Sequence, residues 1–250
     1  MTESESQLSA RTSVFAPLGA GGRSEAVVQR LTEAINLGLI ASGERLPVES
    51  ELAAQFRVSS ATLREALAIL REQGLVATRR GRNGGTFTLG TARPPVERLR
   101  KRLLALTTTE LRDLGDEHFA IAGAAAKLAA MRVGQDDVER LERTADQMAA
   151  ATTFAGKSRA DSRFHIEIAV ASQSERLTRA EVRLQGEVAE LLWGALGKPL
   201  DRMAAHAEHR AIVAAIAGED EEQAELLART HAQSNVRRLI EAHMTLAGRS

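Results

Sequence analysis

Asp161 and His165 stand four residues apart in ADSRFHIEIAVASQSERL, a spacing that places a carboxylate and an imidazole about 40° apart on one helix face. His209 opens HRAIVAAIAGED, and His231 follows 22 residues later on the next predicted helix. Three helices thus offer Asp, His, His and His. One carboxylate with neutral imidazoles suits Zn²⁺, Ni²⁺ or Mn²⁺ and leaves coordination positions for water or a ligand. On spacing alone His206, one turn before His209, competes with it. His118 is either a bare helix-face residue or a ligand-binding one, and His243, close to the C-terminus, reads as solvated. Glu167 is near in sequence but about 160° around the helix from His165, a poor position for a base acting at the same ion. No HExxH or GxSxG run is present.

A second group of residues suits DNA. Leu52, Ala53 and Phe56, then Val58, then Leu63, Ala66, Leu67 and Leu70 read as the inward faces of two helices joined by a tight turn, with Ser59 placed to cap the second. Ser60, Ala61, Thr62, Arg64 and Glu65 are left at the exposed N-terminal end of that second helix, the end a recognition helix presents to the major groove. Arg64 can fork onto a guanine edge or pair with a phosphate. From Leu75 to Arg102 there are eight basic residues and a single acid, Glu97. Arg79, Arg80 and Arg82 flank a glycine-rich turn whose Gly81 lets the backbone approach phosphates that the arginines neutralise.

The elements that must carry these groups are mostly helical. Helices are predicted over about 24–37, 49–56 and 60–73, followed by a β-hairpin of 75–80 and 86–89. Seven more are predicted over about 97–106, 109–131, 135–154, 157–172, 174–196, 202–217 and 220–246. Trp193 sits among leucines and reads as core, with pocket lining the other reading. The fold class is therefore mainly α: a winged helix-turn-helix of three helices plus a hairpin over 23–90, then an all-α bundle of about seven helices over 97–248. Residues 1–22 are expected to be flexible, and 91–96, with Pro94 and Pro95, to be a linker.

Composition narrows the functions open to this chain. Thirty-three Lys and Arg balance thirty-three Asp and Glu, which argues against a protein coated in positive charge but leaves room for a local basic patch. There is no cysteine, which excludes a disulfide scaffold, a thiolate zinc finger and a cysteine nucleophile. Six Phe, one Trp and no Tyr make a base-stacking platform for single strands a poor fit. No apolar run reaches the ~18 residues of a membrane span, and the N-terminus lacks a secretory pattern, so a cytoplasmic location is expected.

GERLPVESELAAQFRVSSATLREALAILREQGLVATRRGRNGGTF resembles the winged-helix domain of GntR-type bacterial transcription factors, whose run is G-x-x-L-P-S-E-R-x-L-A, then V-S-R-x-x-V-R-E-A-L, then a glycine-rich wing. The likeness implies operator binding through Ser50, Ser59, Ser60, Thr62, Arg64, Arg79, Arg80, Gly81 and Arg82. Val48 replaces a capping serine, and Ser50 and Ser60 stand where relatives often carry DNA-contacting arginines. Residues about 97–246 resemble the FCD effector domain of the FadR subfamily: Asp161/Phe164/His165, then His209/Ile212/Ala215/Ile216/Asp220, then His231. This resemblance selects His209 over His206 and implies a divalent metal held by Asp161, His165, His209 and His231, next to a small effector, often an organic acid. Where relatives have E-V-R-x-x-L-E this chain has DEHFAIA, with His118 in the place of an arginine that would fork onto a carboxylate. The resulting expectation is a homodimeric, ligand-responsive repressor that binds double-stranded operator DNA. The alternatives are a metalloenzyme with an appended DNA-binding module and an architectural DNA-binding protein that senses nothing.

Overall fold

The computed structural model describes residues 14–15, 23–81, 84–89, 96–195 and 201–248. They fall into two compact units. The expected flexible segment 1–22, Arg82 and most of the expected linker lie outside the described residues, apart from residues 14 and 15.

The first unit contains α1 (Arg23–Asn36), α2 (Glu49–Phe56), α3 (Ser60–Glu72), β1 (Val76–Arg79) and β2 (Gly85–Thr88). Leu31, Ile40, Leu52, Phe56, Leu63, Leu67 and Leu70 are fully buried and form its core. The apolar spacing of α2 and α3 sends these side chains to one side, where burying each contributes about 1.5–3 kcal/mol. The two helices start differently. Val48 gives α2 no side-chain cap, and Glu49 and Glu51 in its first turn offset the exposed amides. Ser59 Oγ accepts from the Thr62 amide at 3.1 Å and caps α3. Helix α2 ends at Arg57 in the left-handed conformation (φ 54°), and α3 is followed by Gly74 (φ 71°), which reverses the chain into the hairpin. The strands pair antiparallel from Val76↔Thr88 to Arg79↔Gly85, and Arg45 bridges Phe87 as an extra rung. Buried Thr88 donates its hydroxyl to the Ala41 carbonyl at 2.5 Å and accepts from the Glu44 amide at 3.1 Å, tying the wing to the loop before α2.

The second unit is a bundle of α4 (Val96–Ala105), α5 (Thr108–Arg132), α6 (Gln135–Ala150), α7 (Phe154–Ala171), α8 (Glu175–Gly194), α9 (Arg202–Ala217) and α10 (Glu221–Ala247). Val96, expected as the last linker residue, opens α4. Phe154, expected to end one helix, instead begins the next, because Thr153 Oγ1 accepts from the Gly156 amide at 3.0 Å and caps α7. Thr107 and Glu110 form a reciprocal capping box on α5, and Ser174, Asp201 and Asp220 cap α8, α9 and α10. Two cores result. One is alanine-rich, with Ala122, Ala126, Ala129, Phe164, Ile212, Ile216, Ala228 and Ala232. The other is leucine-rich, with Leu99, Leu103, Leu111, Leu184, Leu191 and Leu239. Small side chains let α5 and α10 run close together: a Cβ on Gly115 would lie 2.7 Å from Val236. Among the described residues no helix is long and apolar enough to cross a membrane.

Candidate metal centre and nucleic-acid interface

At the head of α3, Ser59, Ser60 and Arg64 are exposed and Thr62 is half-buried. Ser50 is exposed on α2. Arg64 Nε lies 3.0 Å from Glu49 Oε2, and their side chains are 70% and 47% exposed. An ion pair this exposed contributes about 0–1 kcal/mol, so a phosphate or a guanine edge can displace the carboxylate. On the wing, Arg80 and Gly81 are exposed. Arg79 lies over the Phe87 ring with its guanidinium carbon 4.5 Å from the centroid. The turn is tight: Gly81 has φ 108°, and a Cβ on Gly84 would lie 2.5 Å from the Arg79 carbonyl oxygen. Arg45 is a further exposed cation beside the wing that the sequence reading passed over, marked only by its place just before the L-P run.

In the bundle, α7 supplies Asp161 and His165, α9 supplies His209 and α10 supplies His231. One ligating atom from each lies within 4.8 Å of the others. All four are buried, at 2%, 5%, 0% and 3% exposure. Asp161 Oδ1 is 3.4 Å from His209 Nε2 and 4.0 Å from His165 Nε2. Even so, Asp161 Oδ1, His165 Nε2 and both His209 ring nitrogens have no hydrogen-bond partner. Each such group carries a desolvation cost of ~1–3 kcal/mol, and a cation among them relieves several at once. One carboxylate and three imidazoles also form the right donor set, so the residues fit a divalent metal. Of the other three histidines, His118 lies beside this set and is described below, and His206 instead meets Asp146 at 3.1 Å. His243, expected to be solvated, is half-buried with its Nδ1 out of contact with solvent.

Neighbouring groups hold three of the four. Trp193 Nε1 donates to Asp161 Oδ2 at 3.0 Å, so this residue, read as core from sequence, also aims a carboxylate. His231 Nδ1 meets Glu208 Oε2 at 2.5 Å. Arg238 donates to Asn235 Oδ1 at 3.0 Å, which leaves the Asn235 amide nitrogen facing His231 Nε2 at 3.0 Å. Phe164 stacks on His209 with ring centroids 3.9 Å apart. A carboxylate behind a ligating imidazole fixes its tautomer and raises its basicity. Burial pushes the His165 and His209 imidazoles below their ordinary range, with neighbouring imidazoles adding to the effect. Burial opposes the charge on Asp161, but the close His209 ring and the other imidazoles outweigh it and hold the carboxyl below the usual range. Neutral imidazoles beside an ionised carboxylate are the states that ligate.

Next to this set, His118 of α5 and Glu181 of α8 each bring a ligating atom within 4.8 Å of one on His165. Burial lowers the His118 imidazole to about 4. Burial, with Asp161 and Glu117 nearby, raises Glu181 to about 7. Glu181 was not anticipated from sequence. The available signal was its place on the buried stripe Thr178, Glu181, Gln185 and Val188, where a carboxylate is out of keeping. Glu167 faces other partners, with Arg163 at 3.4 Å and Arg140 at 4.0 Å, so it is not a base at this centre.

Residues 23–88 match the bacterial regulatory proteins of the gntR family, and residues 97–234 match the FCD domain. The chain belongs to the GntR family and carries an FCD domain. This GntR-family chain is 44% identical over 226 residues to RmpR of Mycobacterium gastri, named as an HTH-type transcriptional regulator, an alignment covering 90% of this chain and 82% of that one. It is 28% identical over 159 residues to the Glc operon transcriptional activator of Escherichia coli K12, covering 61% of this chain and 62% of that one. In fold it is similar to E. coli McbR/YncC, with a TM-score of 0.53 at 16% identity over 88% of this chain and 97% of that one. A GntR-family transcriptional regulator from Pseudomonas syringae pv. tomato gives a TM-score of 0.51 at 19% identity, covering all of both chains. The chain is a DNA-binding transcription regulator of this family, and the metalloenzyme alternative is set aside because the family and the named relatives are regulators.

Proposed function

We propose that this regulator senses a small metabolite at a divalent metal in its C-terminal bundle and transmits binding to a winged helix on operator DNA, acting as a repressor. The observation that carries the reading is the convergence of Asp161, His165, His209 and His231, buried together, with unpartnered atoms on Asp161, His165 and His209. These four would hold the ion, of the zinc, nickel or manganese class. The ion would supply Lewis acidity to anchor an acidic effector. His118 and Glu181 line the effector's position. Ser50, Ser59, Ser60, Thr62, Arg64, Arg79, Arg80, Gly81 and Arg82 form the DNA face.

An effector changes DNA affinity only if it binds two conformations of the protein unequally. A homodimer provides such conformations in the spacing of two reading heads on a near-palindromic site. Sedimentation of the full chain at micromolar concentration should therefore give a dimer, and a fragment starting near Pro95 should dimerise as well. A monomer that footprints one half-site would remove this arrangement.

The function is tested by DNA-shift titration with DNA flanking the protein's own gene, on metal-loaded and chelator-stripped protein, against a panel of small organic acids. At least one acid should change operator affinity by roughly 5–150-fold in the loaded protein only, the range of a coupling energy of 1–3 kcal/mol. Specific DNA binding that no acid alters in either form would favour the architectural protein that senses nothing.

A further inference from the structure

We propose that Arg45 and Arg79 form a clamp for one backbone phosphate of duplex DNA on the outer face of the wing. The proposal rests on the DNA face above, in that the wing must lie against the duplex. It adds Arg45, which stands outside both helices of the helix-turn-helix.

The chain before α2 adds a third edge to the hairpin. The Leu46 amide donates to the Thr86 carbonyl and the Thr88 amide to the Glu44 carbonyl, both at 2.9 Å. These bonds flank Arg45 and Phe87, which oppose each other as an antiparallel pair. In a pair flanked this way the Cα atoms lie about 4.5 Å apart and both side chains stand on one face. Ala77, opposite Phe87, and Arg79, opposite Gly85, share that face. Val76 and Thr88 point the other way and are buried, so the arginines are on the outer face, where both are exposed. Arg45 reaches along β2 toward the turn. A Cβ on Gly85 would lie 2.7 Å from Arg45 Nε, so the bare backbone of Gly85 makes room for it. Arg79 turns back from its place opposite Gly85 to lie over the Phe87 ring. Positions 85 and 87 are about 7 Å apart along a strand, which sets the scale of the gap between the two guanidinium groups.

Two cations this close on one sheet face repel each other. Among the described residues neither meets a carboxylate. Glu44 accepts from the Ala41 amide at 2.9 Å, and Glu49 is paired with Arg64. Phe87 offers Arg79 only the face of a ring. An anion with oxygens on two sides relieves the repulsion, and charge-assisted bonds of about 2.8 Å from each guanidinium to one phosphate bridge a gap of this size. A guanine edge takes the fork of a single guanidinium, so the pair suits the backbone and not a base. Exposed Arg80 and Gly81 continue the positive surface toward the turn.

The test is fluorescence anisotropy with the full-length protein on operator and random duplexes across a salt series. Arg45→Gln should weaken binding to both duplexes alike, by at least about threefold, since a phosphate contact carries no sequence information. Arg45→Lys keeps the charge but loses the planar fork, and should recover part of that loss. Because one phosphate is shared, Arg45→Gln with Arg79→Gln should lower the slope of log affinity against log salt by about one per reading head, where two separate phosphates would give about two. A scan of the operator with single uncharged methylphosphonate linkages should then find one position in each half-site that weakens the unsubstituted protein and leaves the double variant indifferent. Arg64→Ala is measured alongside. Failure of the whole DNA face shows as no effect of Arg64→Ala, whereas failure of the clamp shows as full-strength binding by Arg45→Gln while Arg64→Ala is impaired. A loss confined to the operator, a slope change of two per head, or no linkage to which the double variant is indifferent would also overturn the proposal.

Discussion

Replacing His209 or His231 with alanine abolishes uptake of a divalent ion and lowers the melting temperature of metal-loaded protein by ~5–15 °C. The magnitude follows from mass action. An ion present at 100 to 1,000 times its dissociation constant stabilises the folded form by about 2.7–4.1 kcal/mol, and each kcal/mol moves the midpoint of a domain this size by about 2–4 °C. Chelator-treated unsubstituted protein should fall to a similar temperature. His206→Ala, whose ring meets Asp146 outside the cluster, should keep both the ion and the stability. The metal-free form also has a predictable pH dependence. His118, His165 and His209 are held below their ordinary range when folded, so the unfolded chain binds more protons and stability is lost as pH falls below about 6.5. Glu181, raised to about 7, works in the opposite direction between 7 and its ordinary value, but it is one group against three. Calorimetry with elemental analysis measures all of this. Less than about a tenth of an equivalent of any transition metal, and none taken up on titration, would remove the ion from the account.

Arg64→Ala weakens binding to the specific operator by ~1–3 kcal/mol, roughly 5–150-fold, and relaxes discrimination at one base pair. Arg80→Ala should behave differently, weakening specific and random DNA alike and reducing the slope of log affinity against log salt by about one. The contrast comes from position: Arg64 is on the exposed head of α3, and Arg80 is on the wing. In the free protein Arg64 is paired with Glu49, so Glu49→Gln, which removes the competing charge, should leave binding unchanged or tighten it. Fluorescence anisotropy on operator and random duplexes at several salt concentrations separates the two behaviours. If both arginine variants bound operator as well as the unsubstituted protein, with the fold intact, this face would not be the one that reads DNA.

The winged helix was legible in the sequence because its information is local. Leu63, Ala66, Leu67 and Leu70 repeat at helical spacing, Ser59 announces a cap, and glycines mark the wing; all lie within one short stretch. The bundle's helices were legible for the same reason, and their ends less so. Thr153 caps α7 a few residues before the expected start, since a side chain that captures one amide decides a boundary that periodicity leaves open. The centre divides in the same way. Asp161 and His165 share a helix face and could be paired by counting, whereas choosing His209 over His206 took the family resemblance. Glu181, Glu208, Asn235 and the indole of Trp193 went unread because they matter through neighbours on other helices, or through a hydrogen bond that no spacing records.

The bond from Trp193 Nε1 to Asp161 Oδ2 makes the protein its own optical reporter. The chain has one tryptophan and no tyrosine, so emission excited in the indole band comes from a single ring attached to the candidate centre. Drawing Asp161 onto an ion changes the charge at the indole N–H, so the emission should shift as metal binds. A closed-shell ion such as zinc should move the band and keep its intensity, and a paramagnetic ion such as nickel should quench it. One cuvette titration therefore yields both an affinity and a clue to the metal, without a label, and Trp193→Phe both silences the signal and removes the donor that aims the carboxylate.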